Sequence, residues 1–109
     1  MNWITLDNEG QLAEIDEKSF KKPQLIFKHS TRCSISSVIK NRLYKGELPD
    51  NIDFYYLDLI ANRPVSNEIA NRYGIEHESP QVLLIKDGKC IFNDSHNGIY
   101  MDDIVENAK

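Results

Sequence analysis

Leu25-Ile26-Phe27-Lys28-His29-Ser30-Thr31-Arg32-Cys33-Ser34-Ile35-Ser36 is the stretch from which the rest of the chain can be read. Leu25 to Phe27 is a short unbroken apolar run, the pattern of a strand covered on both faces by helices. Beyond it, Ile35, Val38, Ile39 and Leu43 recur at helical spacing over residues 34–45, and Gly46 stands where a helix stops. The spacing predicts an amphipathic helix, with Cys33 at the point where a buried strand passes into its N-terminus.

Working outward, Val82-Leu83-Leu84-Ile85 is a second buried run, and residues 53–59, with Phe54, Tyr55 and Tyr56, read as a third strand. Residues 65–73 form a helix pattern opened by Pro64 and closed by Gly74, with Val65, Ile69 and Ala70 on its inner face. Asp87-Gly88, between residues 82–86 and Cys90-Ile91-Phe92, is a two-residue hairpin signal. Helices are also expected over residues 8–18 and 102–108. The order strand, helix, strand, helix, hairpin, helix is that of a thioredoxin-like α/β fold, a mixed β-sheet flanked by helices on both faces. Another α/β sandwich also satisfies the pattern.

The chain has 109 residues, 40% hydrophobic and 28% charged, without a linker-like stretch or repeat, and a single domain over residues 1–109 is expected. Thirteen basic against 17 acidic residues give a net charge of −4, with no Lys/Arg block to neutralise phosphates, which argues against a nucleic-acid partner. The segment Met1 to Asp7 lacks a positive stretch followed by a long apolar one, and no run approaches the roughly 20 apolar residues that span a bilayer. A cytoplasmic protein with no membrane association is expected. Two cysteines do not make a disulfide framework, so each is read separately.

At a helix N-terminus, unpaired N–H groups and the helix dipole stabilise a thiolate, and Arg32, Lys28 and His29 would add positive potential at Cys33. Cys33-Ser34-Ile35-Ser36 has the spacing of a dithiol motif, but a hydroxyl replaces the resolving thiol. That leaves a mixed disulfide resolved by a second external thiol. Ser79-Pro80 opens a strand antiparallel to the one ending at His29, so it returns to the Cys33 pole. A cis bond there would turn the Ser79 backbone toward a bound thiol. Arg63 and the loop from Asn93 through Asp94, Ser95, His96 and Asn97 to Gly98 could form a polar groove for that thiol's carboxylates and hydroxyls. His77, between acidic residues, reads as surface connector. Cys90 follows the turn at the opposite end of the sheet, more than about 10 Å from Cys33, and reads as a packing residue.

The segment from Lys28 to Ser36, with Ser79-Pro80 and Ser95-His96 in order downstream, resembles the active-site region of the monothiol bacilliredoxin, or YtxJ-like, family of bacillithiol-using bacteria. The similarity covers nearly the whole chain. It implies a thioredoxin fold and a thiol–disulfide oxidoreductase with no bound cofactor or metal. Bacillithiol would be the co-substrate and S-thiolated cytosolic proteins the partners. Cys33 would be the catalytic residue in an environment set by Arg32, Ser34 and Ser36, with Ser79, Pro80, Arg63, His96, Asn97 and Gly98 binding substrate. Family members commonly carry Thr-Cys-Pro-Ile-Ser where this chain has Arg32-Cys33-Ser34-Ile35-Ser36, which leaves an N–H at Ser34 able to donate to the sulfur. Two further readings stand beside this one. A monothiol-glutaredoxin-like iron–sulfur carrier would hold a cluster through one cysteine per subunit, although that type carries Cys-Gly-Phe-Ser. A thioredoxin-fold binding module would show no enhanced reactivity at Cys33.

Overall fold

The computed structural model describes residues 3–46 and 48–109. Met1 and Asn2, the start of the N-terminal segment read above, and Glu47 lie outside the described residues. The elements are β1 (Ile4–Thr5), α1 (Gly10–Lys18), β2 (Gln24–His29), α2 (Ser34–Tyr44), β3 (Asp53–Asp58), α3 (Arg63–Tyr73), β4 (Gln81–Lys86), β5 (Lys89–Ser95), a 3-10 turn (His96–Gly98) and α4 (Met101–Asn107). One sheet holds the strands in the order β1-β3-β2-β4-β5. β3 lies parallel to β1 and β2, and β4 is antiparallel to β2 and β5.

Every residue of β2 is buried because helices cover both sides of the sheet. Successive side chains point to opposite faces. Leu25 and Phe27 join Ile39 and Leu43 of α2 and Ile104 of α4 in one core. Ile26 joins Leu12 and Ile15 of α1 and Val65 and Ile69 of α3 in the other. The same alternation carries His29 to the α2 side and Lys28 to the α3 side. The β4–β5 hairpin turns at Asp87 and Gly88, both at positive φ (54° and 76°), as a two-residue turn matching the strand twist requires.

Three expectations are corrected. Ile35 and Val38 are 40% and 55% exposed, and the buried stripe of α2 is Ser36, Ile39 and Leu43. Ser36 can occupy an interior position because its hydroxyl finds partners there. Residues 93–95, expected in a loop, complete β5 by pairing with Leu83, Val82 and Gln81. An edge strand need not show an apolar alternation. β1 was not anticipated, since two exposed residues carry no readable period.

Candidate active site

β2 and β3 run parallel and end together at His29 and Asp58, which are register partners. β4 begins at the same level, Gln81 lying opposite Lys28 and Ser95 opposite Gln81. The register therefore gathers Cys33, Arg63, Pro80 and the 96–98 turn at one pole of the sheet, as expected from the sequence.

Cys33 is the N-cap of α2, in extended conformation (φ −111°, ψ 121°), and is partly exposed. Its N–H donates to the Ser30 carbonyl at 3.2 Å, and its own carbonyl accepts from Ser37 N–H at 3.2 Å. Its side chain caps none of the helix's N–H groups. The first-turn N–H groups are thus left open at the positive end of an 11-residue helix, where they favour a thiolate or an anionic substrate group. Arg32 and Ser34 are exposed beside it. The Arg32 backbone N–H donates to Ser30 Oγ at 3.3 Å.

Ser36 is fully buried and turned away from this opening. Its Oγ accepts from Ser30 N–H at 3.0 Å and lies 2.7 Å from His29 Nδ1. Among the described residues its hydrogen bonds run to β2 and the loop after it. It braces the Cys33 loop from inside the core.

The Ser79–Pro80 peptide is cis. The Pro80 carbonyl accepts from His96 N–H at 2.9 Å, tying the strand start to the turn after β5. Ser79 Oγ is buried without a hydrogen-bond partner among the described residues. The connector before it is fastened by Gln81 Nε2 donating to the Glu76 carbonyl (3.0 Å) and Ser95 Oγ donating to Glu78 Oε2 (3.0 Å). His96, Asn97 and Gly98 are exposed, as is Arg63 at the start of α3. A Cβ on Gly98 would lie 2.7 Å from Asp94 Oδ1, so a larger residue there would require the Asp94 carboxylate to shift. Arg42, in the last turn of α2, donates through Nη1 to the carbonyls of Asn97 (3.1 Å) and Ile99 (2.8 Å), and its guanidinium lies 4.3 Å from the Tyr100 ring centroid. Sequence reading passed over Arg42, whose role depends on a partner 55 residues away.

Lys28 does not add its charge on the Cys33 side, as the sequence had suggested. It is fully buried against α3, with Nζ donating to the Ser66 carbonyl (3.4 Å) and to His77 Nδ1 (3.3 Å), and burial lowers its pKa to about 8. His77 is exposed, as expected of a connector, yet its ring is the partner of this buried lysine. The one available signal was that Lys28 sits inside a strand buried on both faces. Cys90 lies opposite Ile85, which pairs with Gln24 at the start of β2 and so belongs to the far end of the sheet. Its Sγ–H donates to the Phe92 carbonyl at 3.3 Å, and burial pushes the thiol's pKa up.

Among the described residues no helix is long and apolar enough to cross a membrane, and no group of three or more His, Cys, Asp or Glu could hold a metal ion. Comparison with solved structures finds the same architecture elsewhere. One, described as an oxidoreductase with a thioredoxin fold, shares 27% identity at a TM-score of 0.84, covering 97% of this chain and 93% of its own. A thioredoxin from Malassezia sympodialis aligns over 99% of this chain and 92% of its own, at 16% identity and a TM-score of 0.79. A variant thioredoxin from Halobacterium salinarum covers 97% and 90%, at 14% identity and 0.72. The last two establish the thioredoxin fold alone; the first adds likeness to an oxidoreductase. Residues 4–104 match the monothiol bacilliredoxin BrxC family, so a thioredoxin-fold sheet with one cysteine at the α2 N-terminus belongs to a chain that is a member of that family of thiol oxidoreductases.

Proposed function

We propose that the protein removes bacillithiol from mixed disulfides on S-thiolated cytosolic proteins, using Cys33 as its only nucleophile. The Cys33 thiolate attacks the bacillithiol sulfur of the mixed disulfide. A Cys33–bacillithiol disulfide forms as the original S–S bond breaks, and the client leaves as a thiolate that takes a proton from solvent. A second bacillithiol thiolate then attacks the bacillithiol sulfur of the adduct. It releases Cys33 and departs as the bacillithiol disulfide, so the electrons that reduce the client come from the two small thiols now joined. Ser36 does not resolve the adduct, because a hydroxyl forms no disulfide and this one is hydrogen-bonded inward. Ser79 and Pro80 align the incoming thiol, and Arg63 with His96, Asn97 and Gly98 holds its carboxylates and hydroxyls.

The observation that carries this reading is Cys33 at the uncapped N-terminus of α2, on the pole shared with Pro80. The test is to present a client protein bearing a bacillithiol disulfide and follow intact masses. Bacillithiol should move to Cys33 of the parent. The Cys90→Ala variant should behave like the parent, and Cys33→Ser should release nothing. Release by Cys33→Ser, an adduct on Cys90, or equally fast transfer from a glutathionylated client would overturn it.

A further inference from the structure

Lys28 is a fully buried ammonium to which the exchange mechanism assigns no task. It lies in β2 next to His29, the last residue of that strand, and opposite Gln81, the first residue of β4. Among the described residues Nζ reaches the Ser66 carbonyl in the first turn of α3, at 3.4 Å, and His77 Nδ1, at 3.3 Å. An ammonium has hydrogens to give and no lone pair. While Lys28 is charged, Nδ1 therefore accepts and the imidazole carries its own proton on Nε2. Ser66 Oγ stands 3.4 Å from the same nitrogen, as a second donor to it. The ring stays a neutral acceptor: loss of hydration leads in lowering its pKa, followed by the Lys28 and Arg63 charges, against the opposing pull of Glu78.

His77 belongs to the connector of residues 74–80, which leaves α3 and delivers Ser79 and Pro80 to the Cys33 pole. The connector's other hydrogen bonds tie it to its own neighbours or to the β5 side. Ile75 N–H donates to the Ala70 carbonyl, the Glu76 carbonyl and Glu78 N–H meet the Gln81 side chain, Glu78 Oε2 accepts from Ser95 Oγ, and the Pro80 carbonyl accepts from His96 N–H. Among the described residues, the His77 ring alone joins the connector by side-chain hydrogen bonds to β2 and to the first turn of α3. An ammonium with two long contacts in the interior works against stability, so the use of this lysine lies in what it holds. We propose that Lys28 and His77 are positioning residues for thiol exchange: the ammonium of β2 pins the connector through the imidazole, so that Ser79 and Pro80 stand in place at the pole before substrate arrives. Without the pin the connector samples other arrangements, and only the aligned fraction binds. Apparent affinity falls by that fraction while the maximal rate is kept.

The inference rests on the proposed function, with Cys33 as nucleophile and Ser79 and Pro80 as its aligning segment. Parent, Lys28→Met, His77→Ala and His77→Asn proteins are compared by three measurements. These are bacillithiol transfer to Cys33 as a function of the concentration of a bacillithiolated client, Cys33 alkylation by iodoacetamide, and amide hydrogen exchange over residues 75–79. Met keeps the reach of lysine but donates nothing, and Asn puts Oδ1 where Nδ1 stands. Lys28→Met and His77→Ala should each raise the half-saturating client concentration about tenfold, the effect of one hydrogen bond to a charged group. Their maximal transfer and alkylation rates should stay within about twofold of the parent, and their connector amides should exchange faster. His77→Asn should match the parent in all three. A lysine that served packing alone would shift the denaturation midpoint and leave the half-saturating concentration where it was. The inference is overturned by an unchanged half-saturating concentration in Lys28→Met, or by His77→Asn behaving as His77→Ala. Heteronuclear NMR of the imidazole nitrogens in the parent near neutral pH decides should a variant fail to fold: Nε2–H on His77 supports the pin, and Nδ1–H overturns it. If the parent takes no bacillithiol from the client, the proposed function fails and amide exchange judges the pin alone. Faster exchange in both Lys28→Met and His77→Ala then sustains it, and unchanged exchange overturns it.

Discussion

Lys28 and His29 are consecutive residues of β2, both buried, one on each face of the sheet. The His29 side is a network of groups in which Ser30 N–H donates to Ser36 Oγ at 3.0 Å and that oxygen is hydrogen-bonded with His29 Nδ1 at 2.7 Å. On the Lys28 side an ammonium with three hydrogens meets, among the described residues, a carbonyl and an imidazole at 3.4 and 3.3 Å. Those are long for charge-assisted hydrogen bonds. Among the described ion pairs none includes Lys28. The contrast teaches that at equal depth a neutral network can be satisfied by side chains and backbone already in place. A charge at the same depth gives up hydration for contacts that only partly replace it.

The sharpest way to break the comparison is Ser36→Ala. It leaves the Ser30 N–H and His29 Nδ1 without a partner in the interior, and should lower stability by about 2 kcal/mol or more. A denaturant midpoint equal to the parent's would mean that the network contributes nothing.

The next largest effect is on alkaline stability. Folded Lys28 loses its proton near 8, whereas its ordinary value is 10.5. Between these values the unfolded chain binds more protons, so stability rises with pH across that window, by at most on the order of 3 kcal/mol. Tyr44 and Tyr55, pushed up by burial from 10.0 to about 12, act in the opposite sense. Above 10 the folded chain keeps phenolic protons that the unfolded chain releases, and stability falls. Urea midpoints measured through the range should climb and then turn over; a monotonic decline from neutrality would contradict the buried ammonium.

Lys28→Met should separate the two limbs. Removing the charge in favour of an apolar chain of similar reach should abolish the rise, keep the tyrosine-driven fall, and leave stability at neutral pH equal to the parent or up to about 2 kcal/mol higher. Destabilisation of that size would show the lysine to be better satisfied than its distances indicate.

The smallest expected effect lies on the acid side. Burial is the leading cause that lowers the pKa of both His29 and His77 below 6.5. As pH falls through 6.5 the unfolded chain takes up protons first and stability declines. His29→Phe should make that decline shallower, as read from the same midpoints. An unchanged slope would remove His29 from the acid response.

The fold was legible because its central strands are written without ambiguity. Leu25 to Phe27 and Val82 to Ile85 are apolar on both faces, and Asp87-Gly88 marks the one turn that a hairpin of that length needs. The position of Cys33 followed from the same strand. What escaped were particular contacts between distant segments. Ser36, read as part of the environment of Cys33, is buried beside His29 and Ser30, while Ile35 and Val38 of the same helix face outward. His77 could not be linked with Lys28 without knowing how α3 lies on the sheet. Asn93 to Ser95 form part of β5 through backbone pairing, to which their side chains give no clue.

Arg42 gives the pole a mechanical character. It stands in the last turn of the helix that begins at Cys33, and it grips the carbonyls of Asn97 and Ile99 while lying over Tyr100. The Pro80 carbonyl holds the same turn from the other side, through His96 N–H. Helix, turn and strand start are thus fastened to one another. On the proposed reading, a small thiol settling against residues 96–98 would meet a turn already tied down on both sides, which reduces the entropy loss of ordering it.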